Sequence, residues 1–381
     1  MAIEDLIKSK EFDQSIPTEI EQKFIPLFPE RLSLYREQAR PIEQYYLSHP
    51  DEPFSLRMRS ELSSSGELLY TATLKNAGHV TQNGLERMEI EAVVTESLYT
   101  YFFDESTPII RKLRATPLPG IVIDFYDDER VQIESESLSS WEEFCRQHGD
   151  VFVDVSSDKL ANNQWQAHIA FRRSNNGNEA LLPQPELSVD TIIADILALR
   201  LGRAPVVVHV GGRSGSGKST IVRQIQSALE QYSLSSVVLS TDDYHRGASA
   251  LAAINNGEPW IHWDDPIVYD TKAMAKDLAN LYEGSCIYRR EINWASVEPS
   301  YTSIIKPSDV VIIEGIYAQS PVICGEHDLV YEMTTPLATC IGRRLLRDMR
   351  ERPEFADPVK SLGYMLNEAE PAYRAQERAE R

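Results

Sequence analysis

The sequence lacks the features of an exported or membrane-bound protein. No apolar run approaches the ~20 residues that a membrane-spanning helix needs. The first residues, MAIEDLIKSKEF, have no apolar signal-peptide core. Only four cysteines are present, and none shows the C-x-x-C spacing of a zinc site, which is typical of reduced thiols. We therefore expect a cytoplasmic protein with no membrane partner and no structural disulfides.

Basic residues are also in short supply. Lys and Arg number 38 against 58 Asp and Glu, which gives a formal net charge of −20. A protein that binds a nucleic-acid backbone presents a broad basic surface, which this acidic composition does not favour. We therefore expect no nucleic-acid partner and only local anion sites. The length of 381 residues exceeds what one core usually holds and predicts two domains.

Up to about residue 172, polar and apolar residues alternate with a period of two, which predicts antiparallel strands of a sheet or barrel. Helical patterns interrupt the strands at 29–48, 95–103 and 139–147. The predicted strands are EIEQKF, FSLRMRS, LLYTATLK, ERMEIEAVV, IIRKLRA, GIVIDFY and VQIESES.

Residues 173–187 are polar, contain two prolines and are predicted to be a linker between domains at 1–172 and 188–381. After a predicted helix at about 188–201, continuous apolar runs alternate with helical patterns. That order predicts an α/β domain with a parallel sheet. The apolar runs are PVVVHV, SSVVLS and DVVIIEGIY.

Nearly every strand of the first domain carries charged residues two positions apart, and these side chains share one face of the strand. A sheet with one face in water shows this alternation. A closed barrel lined by basic and acidic groups, which would enclose a phosphate with a divalent metal, shows it too. The pattern alone leaves both open. The charged sets are Glu19/Glu21/Lys23, Arg57/Arg59, Arg87/Glu89/Glu91, Lys112/Arg114 and Glu134/Glu136, with Lys75 and Asp124 alone.

The ordered series EIEQKF, IEQYYL, RMR, TLK, RMEIE, RKLR, IDF and IESE over 17–172 resembles the CYTH family, also called triphosphate tunnel metalloenzymes. The resemblance implies an eight-stranded antiparallel β tunnel with flanking helices that binds a small-molecule triphosphate. It implies that Mg²⁺ or Mn²⁺ is held by Glu19, Glu21, Glu134 and Glu136, assisted by Glu89, Glu91 and Asp124. It implies phosphate contacts from Lys23, which is also catalytic, and from Arg57, Arg59, Lys75, Arg87, Lys112 and Arg114.

Members of the CYTH family hydrolyse inorganic or organic triphosphates, and some cyclise ATP. The sequence does not choose among these activities. An RNA 5′-triphosphatase fits the tunnel but not the acidic composition. A tunnel that only senses polyphosphate and regulates the second domain is a further alternative, although a pure binder would not need four metal carboxylates.

The stretch GGRSGSGKST (211–220) is a phosphate-binding loop by its spacing and by its position between a strand and an amphipathic helix. Glycines let backbone N–H groups face phosphate oxygens, Lys218 bridges phosphates as a catalytic group, and Ser219 ligates Mg²⁺. The alternative is a turn rich in Gly and Ser. The predicted nucleotide contacts are Gly212, Gly215, Ser216, Gly217, Lys218, Ser219 and Thr220.

Asp242 and Asp243 follow the strand SSVVLS, at the edge of the sheet where α/β proteins bind ligands. A kinase needs a carboxylate there to accept the proton of the acceptor hydroxyl. An acidic turn that caps the next helix is the alternative.

The motifs GGRSGSGKST, STDDYHRG, HWDDPIVYD, DVVIIEGIYA and RRLLRDMRER over 203–381 resemble the uridine kinase branch of the phosphoribulokinase/uridine kinase family. The resemblance implies ATP as phosphoryl donor and a small hydroxyl acceptor of nucleoside type. It implies Asp242 as general base and Glu314 beside Ser219 at the metal. It further implies acceptor contacts from Asp264, Tyr288 and Arg344, and contacts to ATP phosphates from Arg347 and Arg352.

Two positions depart from the uridine kinase pattern. Tyr288-Arg289 stands where those enzymes usually carry Tyr-Asp, and ERPE stands where the lid commonly reads Glu-Arg-Gly-Arg. An acceptor-binding carboxylate and one lid arginine are thus missing, which motivates the alternative of a domain that only binds nucleotide. A homo-oligomer is compatible with the sequence.

Overall fold

The computed structural model describes residues 16–63, 65–103, 107–149, 151–157, 187–200, 205–351 and 356–380. These residues form two compact units. Residues 16–157 belong to the first unit together with 337–345 and 356–363, and the other described residues belong to the second. The predicted linker 173–187 lies, apart from Leu187, outside the described residues, so the domain boundaries stay a prediction.

Ten strands of the first unit form one antiparallel sheet in the order β10-β1-β9-β8-β7-β2-β3-β4-β6-β5. The strands are β1 (Thr18–Pro26), β2 (Arg40–Tyr46), β3 (Phe54–Leu62), β4 (Leu68–Asn76), β5 (His79–Thr81), β6 (Gly84–Val93), β7 (Ile110–Leu118), β8 (Ile121–Tyr126), β9 (Val131–Ser135) and β10 (Phe152–Asp154).

The sheet closes on itself because β1 pairs with two partners. Thr18 to Glu21 pair with β6, and Gln22 to Phe24 pair with β9. Eight strands therefore form a closed antiparallel barrel, while β5 and β10 extend it at its ends. The predicted eight-stranded barrel is confirmed.

Helices cover the outside of this barrel. A 3₁₀ segment (Pro29–Gln38), α1 (Glu96–Phe102) and α2 (Leu138–His148) flank the strands. Trp141 of α2 stacks on Phe24 of β1 with ring centroids 3.6 Å apart, so the outward apolar positions are buried beneath α2. The helix predicted over 29–48 is wrong beyond Gln38, since β2 occupies Arg40–Tyr46 and is held by β3 and β7.

The second unit is built on a four-stranded parallel sheet in the order β12-β15-β11-β16. Its strands β11 (Val206–Gly211), β12 (Ser236–Ser240), β15 (Val310–Glu314) and β16 (Leu329–Glu332) are joined by crossovers, and β13 (Ile287–Asn293) and β14 (Glu298–Ile305) form a separate hairpin. The strands β11 and β15 are buried on both faces, as their continuous apolar sequences predict. The predicted parallel α/β fold is confirmed.

Short helices complete the described chain. They are α3 (Val189–Leu199), α4 (Lys218–Gln231), α5 (Ala248–Ile254), α6 (Thr271–Tyr282), α7 (Leu337–Glu351), α8 (Pro358–Tyr364) and α9 (Glu370–Glu380), with 3₁₀ turns at Thr241–Tyr244 and Pro266–Val268 and a π-helical turn at Met365–Ala369. None of the helices described has the length and apolarity to cross a membrane.

Candidate functional site

The charged faces of the barrel strands point into its interior. Lys23 is 1% exposed and Asp124 is fully buried, and the arginines of β3 and β6 are buried as well. Lys23 of β1, Arg57 of β3 and Arg87 of β6 all act electrostatically on the half-buried Tyr46 of β2, so residues from separate strands share one enclosed space. The alternative of a solvated sheet face is therefore wrong for these strands.

The strand register places opposite charges side by side. Glu19 lies across from Arg87, Lys23 across from Glu134, and Arg114 across from Asp124. Arg87 Nε donates to Glu19 Oε2 at 3.2 Å, and Arg114 Nε donates to Asp124 Oδ1 at 2.7 Å. Such cross-strand pairs offset part of the cost of burying charge.

The other tunnel carboxylates are held by cations in the same way. Lys75 contacts both Glu19, at 2.9 Å, and Glu89. Glu21 is paired with Arg87 and with Lys23. Burial would raise the pKa of Glu134, but the Lys23 ammonium at 3.3 Å and the Arg114 guanidinium hold that pKa well below its usual range.

The positive charges of two arginines on β3 are less well balanced by nearby carboxylates. Arg57 donates to Thr73 Oγ1 at 2.9 Å, while the closest carboxylate oxygen to Arg59, on Glu91, is 3.9 Å away. The buried Nε atoms of Arg57 and Arg59 find no hydrogen-bond acceptor among the described residues. Burial and the neighbouring Arg57 and Arg114 lower the pKa of Arg59 to about 10. This part of the tunnel therefore favours an anion.

Lys112 shows the same excess of positive charge. Its Nζ lies 2.6 Å from Asp124 Oδ2, yet burial and the Arg114 guanidinium lower the pKa of Lys112 to about 7. An anion beside Lys112 would raise that pKa again, because opposite charge favours the ammonium form. The pKa of Lys75 is lowered by burial and by Arg87 for the same reason.

The donor chemistry of the tunnel suits Mg²⁺ or Mn²⁺, both of which prefer carboxylate oxygens. Burial and the charges of Glu19, Glu134, Glu21 and Glu89 raise the pKa of Glu136, so these acids share one electrostatic environment. Within the described ranges, however, no three His, Cys, Asp or Glu side chains are arranged as a metal site. Glu19, Glu21 and Glu134 are paired with Lys or Arg instead, and a metal would have to displace those cations. Glu136 is exposed and forms no ion pair with the described residues.

The sequence did not identify three further polar residues of the tunnel. Thr73 links Arg57 to Glu91 through hydrogen bonds of 2.9 and 2.8 Å. Tyr46 and Tyr126 are enclosed with the cations, and burial raises the pKa of both phenols. The IEQYYL motif signalled Tyr46, whereas nothing local marked Thr73 or Tyr126.

The phosphate-binding loop of the second unit has the backbone that its glycines permit. Gly212, Gly215 and Gly217 have φ of 133°, 82° and 97°, where L side chains are strained. A Cβ on Gly212 would lie 2.9 Å from Met333 Cβ, so the loop also needs glycine for space. Gly217 precedes α4, whose N-terminal N–H groups are directed at the loop.

Lys218 and Ser219 lie at the start of α4. Lys218 Nζ donates to the carbonyl oxygens of Gly212 and Arg213 at 2.7 and 2.8 Å, so the ammonium is held inside the loop. Ser219 Oγ donates to Glu314 Oε2 at 3.4 Å, and Ser240 Oγ donates to Glu314 Oε1 at 2.8 Å. The structure thus brings Ser219 and Glu314 together as the resemblance implied, and adds Ser240.

Asp242 and Asp243 lie in the 3₁₀ turn that follows β12. Because β12 and β15 are parallel neighbours with Ser240 opposite Glu314, Asp242 and Glu314 end at the same edge of the sheet. Burial, Asp242 and Glu291 raise the pKa of Asp243 to about 6 against the influence of Arg289. Asp243 is therefore protonated more readily than an ordinary aspartate.

The predicted acceptor contacts differ in their surroundings. Asp264 Oδ2 accepts from the Tyr364 hydroxyl at 2.8 Å, which orients that carboxylate. Tyr288 is 66% exposed, and its side chain forms no hydrogen bond or ring contact with the described residues. Arg344 is buried. His245, which the sequence did not single out, is buried between the rings of Trp263 and Trp294, each with its centroid 5.9 Å away.

Of the two predicted lid arginines, one is described. Arg347 donates to Ser214 Oγ of the phosphate-binding loop at 3.3 Å and to Asp348 Oδ1 at 2.8 Å. Its guanidinium is therefore held beside the loop by Asp348, which is fully buried. Arg352 lies outside the described residues.

Comparisons with known proteins agree with this second site. The Phosphoribulokinase / Uridine kinase family profile matches residues 207–374. A uridine kinase from Staphylococcus aureus (strain JH9) is 31% identical over 159 residues, which are 41% of this chain and 75% of that relative. The chain belongs to the phosphoribulokinase/uridine kinase family. The match to this family includes the phosphate-binding loop, Asp242 and Glu314.

Two solved structures resemble this chain at low identity. The inorganic triphosphatase NE1496 is 22% identical, with 39% of this chain and 97% of that chain covered and a TM-score of 0.24. The PH1819 protein from Pyrococcus horikoshii OT3 is 21% identical, with 35% and 90% covered and a TM-score of 0.25. Likenesses this distant carry no argument about function.

Gly315 directly follows the metal-site candidate Glu314. A substitution at Gly315 tests how closely the backbone packs in this site. The φ of Gly315 is 144°, and a Cβ there would overlap Thr241, whose own Cβ would be 2.7 Å away. Gly315→Ala should destabilise the protein by roughly 3 kcal/mol and displace Thr241 and Asp242. Urea unfolding measures this cost. Gly257→Ala, with φ of 90° but open space around it, should cost clearly less; equal costs would contradict the steric explanation.

His209 predicts how the stability of the same domain changes with pH. The imidazole is fully buried in β11, with Nε2 2.8 Å from Asp328 Oδ2. Burial lowers the pKa of His209, but the hydrogen bond to Asp328 is the largest of the opposing effects, which together raise the pKa from 6.5 to about 9. The resulting stabilisation is complete below pH 6.5 and is lost as pH rises through 9.

A shift of this size corresponds to about 3 kcal/mol. The difference in unfolding free energy between the wild type and His209→Gln should therefore shrink by about this amount between pH 6 and pH 10. Urea titrations at the two pH values measure the difference. A difference that stays constant would show that the imidazole is neutral in the folded protein.

Proposed function

We propose that the barrel hydrolyses a small-molecule triphosphate, inorganic or organic, with Mg²⁺ or Mn²⁺. The observation that best supports this is the undercompensated charge at Arg59, whose neighbours Arg57 and Arg114 are themselves cations. Guanidinium groups donate paired hydrogen bonds that match phosphate oxygens. The seven basic and seven acidic side chains predicted for the tunnel cancel in formal charge, so a multiply charged anion is best accommodated together with a divalent cation.

In this mechanism the basic residues of the tunnel hold the triphosphate in line for attack by water. Lys23, fixed between Glu21 and Glu134, stabilises the charge that develops on the transferred phosphoryl group. Glu19, Glu21, Glu134 and Glu136 hold the metal, which when bound polarises the phosphoryl group. Glu89, Glu91 and Asp124 orient Lys75, Arg57 and Lys112 through the contacts described above.

Release of orthophosphate from tripolyphosphate, with Mg²⁺ and with Mn²⁺, tests this function. Arg59→Gln should raise KM roughly 10- to 100-fold, because it removes a charge-assisted contact from an enclosed site. Arg111→Gln is the matched control, since Arg111 lies on β7 but is exposed and paired with Glu43. Absence of turnover by the wild type with either metal would leave a tunnel that binds triphosphate without hydrolysing it.

We also propose that the second unit transfers the γ-phosphoryl group of ATP to a small hydroxyl acceptor. The supporting observation is that Asp242 follows β12 at the sheet edge that also carries Glu314 and the phosphate-binding loop. Asp242 accepts the hydroxyl proton, the acceptor oxygen bonds to the γ-phosphorus, and the bond to the β-phosphate oxygen breaks to release ADP. Ser219 and Glu314 would hold Mg²⁺, which offsets charge on the phosphates.

Three basic residues would serve the phosphates of ATP. Lys218 exchanges its two loop carbonyl partners for phosphate oxygens when ATP binds. Arg347 lies beside Ser214 of the loop, and we assign Arg352 the same role from its place in the motif. Asp264, Tyr288 and Arg344 would contact the acceptor. We place both reactions in the cytoplasm.

A further inference from the structure

Arg289 lies at an irregular point of the hairpin beside the proposed catalytic carboxylate. The strand pairing matches Tyr288 with Ile304 and Arg290 with Tyr301, so Arg289 faces two residues of β14 instead of one. The extra residue therefore lies in β14, and a β-bulge of this kind bends its strand locally and is common next to active sites. The strand β13 packs against the 3₁₀ turn that carries Asp242 and Asp243.

Neighbouring contacts fix the orientation of β13 on that turn. The guanidinium of Arg290 lies over the Tyr244 ring, 4.9 Å from its centroid, and Arg290 Nε is 3.4 Å from Asp277 Oδ2. The Tyr244 hydroxyl also donates to Asp277, at 3.0 Å. Arg289, the residue before this anchored arginine, is thereby held close enough to Asp243 to act on it electrostatically.

Arg289 has no ion-pair partner in the part of the chain that the structure describes. It is half-buried, and no described carboxylate oxygen lies within 4.0 Å of its guanidinium. An arginine that served only to neutralise Asp243 would pair with it directly. A guanidinium has five N–H donors and can donate paired hydrogen bonds to the oxygens of a carboxylate or a phosphate. A half-buried guanidinium without such a partner is therefore suited to bind an anionic ligand.

We propose that Arg289 determines acceptor specificity and that the acceptor is a small hydroxyl compound carrying a carboxylate or a phosphate. This rests on the proposed phosphoryl transfer by the same site. The acceptor hydroxyl lies at Asp242, while its anionic group is bound by Arg289. Uridine and other neutral nucleosides offer no anionic group to that guanidinium and leave it unpaired when they bind, which disfavours them.

Matched acceptors that share hydroxyls but differ in charge test the proposal. ADP formation from ATP is measured with ribose against ribose 5-phosphate, with glycerol against glycerate, and with uridine. The wild type should use at least one acidic member and prefer it over its neutral counterpart by roughly 10- to 100-fold in kcat/KM. The phosphate and carboxylate pairs tell which anion is bound. Preference for the neutral member of each pair would overturn the proposal.

Substitutions locate the effect at Arg289. Arg289→Gln should raise KM for the acidic acceptor roughly 10- to 100-fold while changing kcat much less, and Arg289→Lys should restore part of the affinity. Arg289→Asp, which returns the usual uridine kinase pair, should remove the preference for acidic acceptors. Lys306→Gln, at an exposed lysine just beyond β14, is the control. An unchanged KM in Arg289→Gln would overturn the assignment.

Binding measurements separate failure of this proposal from failure of the kinase function. Ribose 5-phosphate and glycerate are titrated calorimetrically into the full chain saturated with ADP and Mg²⁺, in the wild type and in Arg289→Gln. Binding that weakens at least tenfold in Arg289→Gln, without any phosphoryl transfer, would support the anion site and refute the kinase function. Transfer to a neutral alcohol at the same rate in both proteins would support the kinase and refute the anion site.

Discussion

Asp242→Asn should lower kcat for phosphoryl transfer from ATP to the acceptor roughly 10²- to 10⁴-fold, because the amide cannot accept the hydroxyl proton. ATP binding should not change, since the proposed nucleotide contacts Lys218 and Ser219 lie on α4 and not on the turn that carries Asp242. ADP formation at saturating acceptor, together with the affinity for ATP, measures both effects.

Asp243→Asn is the matched control for this prediction. The two carboxylates are adjacent, but burial and Asp242 raise the pKa of Asp243 to about 6. A general base must be ionised to accept a proton, so Asp243 is less suited to that role. Its amide variant should keep most of the activity. If Asp242→Asn is as active as the wild type, or if Asp243→Asn is the one that fails, Asp242 is not the base. The second unit would then be a nucleotide-binding regulator or would use another carboxylate.

Glu136→Gln should weaken metal-dependent hydrolysis of tripolyphosphate roughly 100-fold at limiting Mg²⁺, because a proposed metal ligand loses its charge. Glu136 is exposed and forms no ion pair with the described residues, so this change leaves no buried cation without a partner. Glu19 and Glu21 are less suitable, because both balance Arg87 in the interior. Phosphate release over a range of Mg²⁺ concentrations measures the effect, which excess metal should partly reverse.

An exposed acid on α2 controls for the general loss of negative charge. Glu142→Gln should leave the Mg²⁺ dependence unchanged, since Glu142 lies on a flanking helix. Equal Mg²⁺ dependence in Glu136→Gln and the wild type would show that Glu136 does not hold the metal. It would also favour a tunnel that senses polyphosphate through its cations alone.

The phosphate-binding loop could be predicted from sequence because its signal is local. Glycines at fixed spacing, a strand before them and a helix after them lie within one short segment, and the positive φ of Gly212, Gly215 and Gly217 follows from that chemistry. The contact between Ser240 and Glu314 could not be read in this way. It depends on the parallel register of β12 and β15, which brings residues 74 positions apart together.

The strands of the barrel also depend on contacts between distant parts of the chain, which limits what the sequence can predict. Alternation identified seven of its eight strands, but β2 was assigned to a helix because RPIEQYY does not alternate cleanly between polar and apolar residues. Its conformation is decided by pairing with β3 and β7, which are distant along the chain. Closure of the barrel also decides which face of each strand points inward. The alternation of polar and apolar residues is the same whether the polar face points into water or into the barrel interior. The buried Lys23 and Asp124 could therefore be placed only by the structure.

The central claim is that the barrel interior binds a triphosphate together with a divalent metal. A crystal structure of the full chain soaked with tripolyphosphate and Mn²⁺ tests it most directly, because manganese is identified by its anomalous scattering. We expect the phosphate chain inside the barrel on Arg57, Arg59, Lys112 and Arg114, with manganese on oxygens of Glu19, Glu21, Glu134 and Glu136. Tripolyphosphate bound only at the phosphate-binding loop, or a barrel with its ion pairs intact and no manganese, would contradict the claim.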